Sequence, residues 1–340
     1  MFSPTYKITA RLLAHIKIVN TMVIELNHRR FPDLVLIDFE NKAGEISTHA
    51  STSIEGNPLP LTEVKRILKN QPKNIHDTER EILNYNTALQ HLKNQKESLT
   101  IPKILEIHKF VMDGLLLKSD CGKLRSRPVI VNDPRTGNPV YLPPDVDDVK
   151  PLMQELIKFV DSNQNTVDQL IMAGLFHKQM VIIHPFMDGN GRTTRLATKF
   201  LLANMGLNTF NLFSFENFYN QDVTRYFQMV GEYGNYYDLM EKIDFTAWLE
   251  YFAEGVVNEL LRVRKLLDIY QPSPNYELQP HLLLILELIK KRGFTDDKEY
   301  SQKTNRAKAT RALDFNKLIN LGLIRRMEKA RATYYILNQE

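Results

Sequence analysis

Cysteine is nearly missing: Cys121 is the only one in 340 residues. A single thiol excludes a disulfide within the chain and any cysteine-based zinc cluster, and it makes a reducing cytoplasm the expected compartment. Cys121 itself reads as a small, half-buried residue ahead of a turn rather than as a nucleophile. Long apolar runs are also lacking. None approaches the roughly 20 residues of a membrane span, and no charged-then-apolar leader opens the chain, so no membrane partner is expected. A strong excess of one charge is absent too, because a net of +4 requires no polyanionic partner. No G-x-x-x-x-G-K-[ST] loop and no H-E-x-x-H pair occurs, which removes a P-loop nucleotidase and makes a metal hydrolase a poor fit.

What is present is ordinary in bulk. A hydrophobic share of 43% with 25% charged residues is enough to bury real cores, and the length suits two or three domains. The clearest boundary is QPSPNYELQP, residues 271–280, whose three prolines preclude a continuous helix. From His281 onward the chain holds thirteen basic and seven acidic residues, a net of +6, against 31 and 33 before it. The expected organisation is a helical N-terminal region (1–100), a core (101–270), a linker (271–280) and a small basic module (281–340).

The expected class is mostly α with one hairpin, followed by a small α+β tail. Thr78 and Glu81 suggest a capping box ahead of Ile82, Tyr85, Leu89 and Leu92. Further helical stripes run from Ile104 to Leu115, Val149 to Val160, Val167 to Ile183 and Phe245 to Leu267. Pro128 to Tyr141 departs from this pattern. Val129-Ile130-Val131 and Val140-Tyr141 flank Asp133-Pro134-Arg135-Thr136-Gly137-Asn138, which predicts a β-hairpin. An isolated hairpin in a helical domain offers an edge on which a partner's extended segment can dock.

The chemistry concentrates in His184-Pro185-Phe186-Met187-Asp188-Gly189-Asn190-Gly191-Arg192-Thr193-Thr194-Arg195. A helix is predicted to end near Ile183 and another to begin near Gly191, so the polar cluster sits on a junction. Exposed amides and the positive end of the second helix make that junction an anion site. Glycine allows close backbone approach, Asn190 tolerates a left-handed conformation, and Arg192 and Arg195 can each hold a phosphate. Asp188 suits Mg²⁺, which takes few carboxylates, and His184 can accept a proton from an attacking hydroxyl.

This stretch resembles, without departure, the Fic signature His-x-Phe-x-[Asp/Glu]-Gly-Asn-Gly-Arg-x-x-Arg. Chance agreement at the eight specified positions is about one in ten billion per start position, so coincidence is discarded. Gly122-Lys123-Leu124-Arg125, the hairpin, and Tyr141-Leu142-Pro143-Pro144 are similar to the segment preceding that motif in such proteins. The resemblance implies an all-helical Fic core with a hairpin flap and a protein adenylyltransferase activity. Such an enzyme moves AMP from ATP, with Mg²⁺, to a Ser, Thr or Tyr hydroxyl of a target protein or of itself. It implies His184 as general base and Asp188 as Mg²⁺ ligand. Gly189, Asn190, Gly191 and Arg192 would hold phosphates, Arg195 the γ-phosphate, and Val129, Ile130 and Val131 would align the target. The same core in other hands moves UMP, GMP or phosphocholine, which stays an alternative.

Upstream, Ser51-Thr52-Ser53-Ile54-Glu55-Gly56 resembles the inhibitory motif [Ser/Thr]-x-x-x-Glu-[Gly/Asn] of many Fic proteins. The implied inhibitory residues are Ser51, Glu55 and Gly56, with Glu55 occupying the Arg195 fork meant for the γ-phosphate. Glu55 is also a candidate for removing AMP from the target. Read without the resemblance, the same run is a helix C-terminus, with Gly56 as the residue past the end and Pro58 stopping it. His177 and Trp248 read as core. Tyr226, Phe227, Tyr236 and Tyr237 read either as core or as walls of an adenine pocket.

In the tail, helices followed by a short hairpin resemble a winged helix, the kind of domain that often follows Fic cores. Lys303, Arg306, Lys308 and Arg311 would then line an exposed face able to meet DNA phosphates. A DNA-binding regulator whose core senses nucleotide is thus a rival of different class. The other reading of the tail is an interaction or dimerisation module, which would make the chain a homodimer.

Overall fold

The computed structural model describes residues 2–29, 33–93, 95, 97–133, 136–204, 206, 213–268, 278–320, 323–329 and 332–337. In chain order the helices before the hairpin are α1 (Ala10–Asn27), α2 (Asp33–Ile54), α3 (Leu61–Lys69), α4 (Asp77–Leu92) and α5 (Ile101–Val111). Then come β1 (Val131–Asn132), β2 (Pro139–Leu142), α6 (Val146–Ser162), α7 (Gln169–Ile183) and α8 (Asn190–Asn204). After these follow α9 (Glu216–Gln221), α10 (Val223–Val230), β3 (Gly234–Asn235), α11 (Tyr236–Leu239) and α12 (Thr246–Asp268). The chain closes with α13 (Pro280–Arg292), α14 (Asp297–Ser301), α15 (Lys308–Asn320), β4 (Ile324–Lys329) and β5 (Ala332–Leu337). Most of the predicted linker, residues 271–277, lies outside the described residues, as do Pro134 and Arg135 of the hairpin turn.

The residues divide into two units, one of 1–28, 43–68 and 72–269, the other of 29–42, 69–71 and 270–340. At the centre of the first unit is α7, apolar around nearly its whole circumference and buried on every side, as a helix with no solvent face must be. It is wrapped by α6, α8 and α12, and α1 lies along α12. The approach of α12 is tight at Gly174, where a Cβ would meet Leu249 Cδ2 at 2.7 Å, and where Trp248 Nε1 donates to the Gly174 carbonyl at 2.8 Å. Trp248 is buried, as expected. His177 is buried too, its ring nitrogens engaged by the Tyr226 hydroxyl and Thr198 Oγ1, each at 3.0 Å.

Three local expectations need correction. The N-terminus of α4 is boxed by His76 and Glu79, not by Thr78 and Glu81: the His76 amide donates to Glu79 Oε2 at 3.0 Å. Glu81 is drawn away to Asn57 Nδ2 and to Arg192. The stripe from Ile104 to Leu115 outruns its helix, because α5 stops at Val111 and Gly114 turns the chain with a φ of +70°. The hairpin exists, antiparallel with Val131 opposite Tyr141, but Val129 and Ile130 precede its first strand. A third strand, β3, joins β2 in parallel through Tyr141↔Gly234 and Leu142↔Asn235. Within this sheet β1 is an edge.

The second unit carries its own core, with Leu282, Ile285, Leu286, Ile289, Tyr300, Phe315 and Leu318 inside and β4–β5 as an antiparallel hairpin. Arg306 and Arg311 do not line an exposed face. Arg306 pairs with buried Asp314 (2.7 and 3.1 Å) and Arg311 forks onto Asp297 (2.7 and 2.9 Å), so both guanidiniums are engaged within the unit. Lys303 and Lys308 are exposed. Among the described residues no helix is long and apolar enough to cross a membrane.

Candidate active site

The helix–loop–helix expected around His184 is formed by α7, the loop 184–189 and α8. His184 ends α7 in the left-handed conformation (φ 50°, ψ 61°), and it is the one non-glycine at positive φ among the described residues. That backbone normally favours glycine, so the site holds its imidazole at an energetic cost. Burial pushes the His184 imidazole down to about 4, against the upward pull of the Val181 carbonyl and the Glu55 carboxylate. At neutral pH it is therefore an unprotonated base.

The loop is held from both ends. Asn190 does not adopt the left-handed conformation; it opens α8, and its carboxamide accepts from the Phe186 amide and donates to the Phe186 carbonyl, both at 2.9 Å. Its side chain is thus spent on the loop, which leaves its backbone for an anion. Gly189 sits at φ +74° where a Cβ would collide with Met112 Sδ at 2.5 Å. His108, a residue not singled out from sequence, stacks on Phe186 at 3.9 Å and bridges the Asp188 carbonyl and the Gly122 amide. Arg125 donates from Nε to the His184 carbonyl at 2.9 Å and reaches the Pro144 carbonyl, joining the loop to the end of the hairpin. Tyr141 donates to the Ile182 carbonyl at 3.1 Å.

Arg195 is fully buried. Its Nε donates to Ser51 Oγ (2.8 Å), and one terminal nitrogen to the Ser51 carbonyl (2.9 Å) and to Glu55 Oε1 (2.7 Å). The other terminal nitrogen is buried with no hydrogen-bond partner, as is Nε of Arg192, whereas the buried Nη1 of Arg192 is ion-paired with Glu81. Arg192 faces Glu81 at 3.2 Å and Asp188 at 3.6 Å. Burial alone would raise the Glu55 carboxyl, yet the Arg195 and Arg192 guanidiniums hold it below its ordinary value. Glu55 reaches so far only because residue 191 is glycine, since a Cβ there would lie 2.2 Å from Glu55 Oε1.

The helix-end reading of 51–57 is met. Asn57 N–H returns to Thr52 O and Gly56 N–H to Ser53 O, with Gly56 at φ +95°, the glycine-ended helix C-terminus. Glu55 is the residue that this ending presents.

A cavity of about 610 Å³ connects these groups, lined by Glu55, His184, Gly191, Arg195, Val131 of β1 and Phe227. Tyr226 and Phe227 belong to its wall, whereas Tyr236 and Tyr237 face a different cavity. Val129 and Ile130 are not among its lining residues. Asp188 stands 58% exposed beside Arg192. Among the described residues no three His, Cys, Asp or Glu gather to hold a metal. One exposed carboxylate next to phosphate-type cations fits a divalent ion that keeps its waters and takes further ligands from a bound polyphosphate.

A sequence model described as the Fic/DOC family matches residues 98–202, which span α5, the hairpin, α6, α7 and most of α8. Those residues are similar to a Fic domain. Over 164 residues, 46% of this chain, it is 35% identical to the protein adenylyltransferase Fic of Drosophila erecta and 34% identical to that of Drosophila melanogaster. The match covers 31% and 32% of those proteins, so the chain spans about a third of the length of the curated relatives it matches. In fold, it is similar over its whole length to a Fic family protein from Desulfovibrio desulfuricans G20 (TM-score 0.66, 18% identity, 99% of that chain). It also matches Fic-1 from C. elegans (TM-score 0.60, 22% identity, 76% of this chain and 74% of that one). The loop from His184 and the Arg192–Arg195 turn of α8 lie inside the residues matched to that family, whereas Ser51 and Glu55 lie outside them.

Proposed function

We propose that this chain is a self-inhibited protein adenylyltransferase that transfers AMP from ATP to a hydroxyl side chain of a protein. The observation that carries the reading is the buried, unpartnered guanidinium nitrogen of Arg195, set close to the Gly191 backbone in a cavity that also exposes neutral His184. Buried donors without acceptors are costly, and phosphate oxygens would satisfy those of Arg195 and Arg192. The backbone of Gly189, Asn190 and Gly191 at the start of α8 adds the helix-terminal contribution. His184 takes the proton as the target oxygen attacks the α-phosphorus, the new P–O bond forms, and pyrophosphate leaves. Positioning and charge neutralisation do most of the work in such a displacement. Asp188 would hold Mg²⁺, which when bound neutralises phosphate charge. The free edge of β1, with Val131 in the cavity wall, supports docking of an extended target segment.

Self-inhibition rests on Glu55. Its carboxylate occupies the side of the Arg195 fork that a terminal phosphate would take. We infer that wild-type protein is nearly silent and that displacing Glu55 switches it on. For the second unit we infer a winged-helix role in docking nucleic acid or a partner, supported by its net charge of +6 and exposed Lys303 and Lys308.

The test is intact-mass analysis after incubation with ATP and Mg²⁺, with and without cell lysate. Adducts of AMP mass on Glu55→Gly protein or on a lysate protein, absent from Glu55→Gly/His184→Ala, are expected. No adduct with any variant would sink the reading, and labelled UTP, GTP and CDP-choline would then test other donors.

A further inference from the structure

A second cavity, of about 640 Å³, lies in the first unit away from His184 and Arg195, between the chain's N-terminal residues 2–5, α6, and the segment 236–245. Its wall is fixed: Thr5 bridges Asp244, and the Phe245 amide donates to the Thr5 carbonyl at 2.9 Å. Three carboxylates line it, Asp148, Glu155 and Glu241, and no Lys, Arg or His is among its described lining residues. Phe2, Phe245 and the rings of Tyr236 and Tyr237 supply apolar surface.

Carboxylates alone make no site. The second observation is two buried polar side chains left without partners. Gln179 and Tyr236 are each 6% exposed and line this cavity, yet neither the Gln179 carboxamide nor the Tyr236 hydroxyl is hydrogen-bonded among the described residues. Both side chains are nine-tenths buried, and their polar atoms open onto the cavity instead of a protein partner. Here the space in front of them is the cavity. Tyr237 is differently placed: its hydroxyl donates to Asp148 Oδ2 at 2.5 Å and accepts from the Asp145 amide, which orients the Asp148 carboxylate. Burial first, then Asp148 and Glu155, push the Tyr236 hydroxyl above its ordinary value, so the potential there is negative.

We propose that this cavity binds an organic cation, a guanidinium or primary amine on an aliphatic stem. The charge would meet Asp148 and Glu155. The stem would lie on the aromatic surface, where a cation is also attracted to ring faces. Gln179 and Tyr236 would complete its hydrogen bonds. An anion is repelled by the same three carboxylates, and a bare metal ion gains nothing from aromatic walls. The volume is that of a small-molecule site. The segment that carries Tyr236 and Tyr237 follows directly from β3, which is paired with β2 of the flap hairpin, so a ligand here would bear on the hairpin's position.

The same chemistry has two sources, a free small molecule or an arginine side chain of a protein. Calorimetric titration of the full chain with agmatine, N-butylurea and the capped peptide acetyl-Gly-Arg-Gly-amide separates them. Saturable agmatine binding is expected, with none for neutral butylurea, and with about tenfold loss or more in Asp148→Asn/Glu155→Gln. Circular dichroism checks that this isosteric variant folds, and Glu241→Gln at the rim, expected to weaken binding severalfold, serves if it does not. Peptide binding equal to that of agmatine assigns the site to a protein side chain; agmatine binding alone assigns it to a free cation. Absence of agmatine binding, binding unchanged in the folded variants, or equal binding of butylurea would overturn the proposal.

Discussion

Glu55 Oε1 and a terminal nitrogen of Arg195 lie 2.7 Å apart across 140 residues of sequence, and the guanidinium is fully buried. The pair has two measurable consequences. Glu55→Gly should raise AMP transfer about tenfold or more, the worth of one hydrogen bond to a charged group of ~1.5–3 kcal/mol. The same change leaves Arg195 held by Ser51 alone, so the protein without nucleotide should lose about 1–3 kcal/mol of stability. Saturating ATP should then restore more stability to the variant than it adds to wild type, read as melting temperature with and without ATP. Equal transfer rates for the two proteins would remove Glu55 as a brake.

His184 pairs a required side chain with a disfavoured backbone. Both His184→Ala and His184→Gly should lose transfer by about 10²–10⁴-fold, the usual contribution of a general base. Their stabilities should separate. At φ 50° a glycine is relaxed and an alanine is not, so His184→Gly should be the more stable variant by about 1 kcal/mol in urea denaturation. Equal stability would mean that the left-handed backbone is not strained there.

Asn190 is expected to matter through the loop rather than through substrate. Asn190→Ala removes two buried hydrogen bonds to Phe186, costing about 1–3 kcal/mol, and frees the segment that carries His184 and Asp188. Stability and maximal transfer rate should fall together, both measured in the Glu55→Gly background. Unchanged stability would mean that the two bonds to Phe186 do not hold the loop.

The contiguous part of the site was readable because twelve neighbouring residues set its chemistry, and Glu55 was readable because its own motif signals a helix end. His108 and Arg125 were harder to see. His108 occupies a buried face of α5 with Ile104, Ile107 and Val111, where spacing says core, and its partner is a backbone carbonyl 80 residues on. Arg125 was part of a noted run, yet its targets are carbonyls, which carry no sequence signal. The strand β3 is two residues long, too short for alternation, and it exists through pairing with β2. In the helical body, apolar spacing located α4, α6, α7 and α12 but neither α1 nor α2, and it missed helix ends, which glycine turns and competing side chains decide.

The basic tail needs a different pair of substitutions from those its composition suggests. Arg306→Ala/Arg311→Ala would break the bonds to Asp314 and Asp297, so lower thermal stability of the second unit is expected whatever it binds. Lys303→Ala/Lys308→Ala should leave melting unchanged, because both lysines are exposed. If the tail meets DNA, this lysine pair should also flatten the salt dependence of binding, by a slope of about 0.9 for each phosphate the lysines had neutralised. Identical salt slopes for wild type and the lysine variant would place any DNA-binding face elsewhere.

Three imidazoles, buried His108 and His177 and half-buried His184, give the first unit an acid-sensitive stability. Burial is the leading cause for each: His108 and His184 are pushed to about 4, and His177 well below its ordinary value. Unfolded, each would take a proton near pH ~6.5, whereas folded His108 and His184 resist it down to about 4 and His177 is likewise held well below its ordinary value. Between those limits the unfolded state binds more protons, so stability is full above pH ~6.5 and falls as pH drops. With up to three protons taken up, the slope approaches about 4 kcal/mol per pH unit, at ~1.4 per proton. Glu259, raised chiefly by burial, works in the opposite sense, and only toward the carboxylate range. Urea denaturation from pH 7.5 to 5.5 measures the slope. His177→Gln keeps hydrogen-bonding groups for Tyr226 and Thr198 and removes one titrating site, so its slope should be shallower by about 1.4 kcal/mol per pH unit. Parallel slopes for the two proteins would mean that His177 is not held neutral in the folded chain.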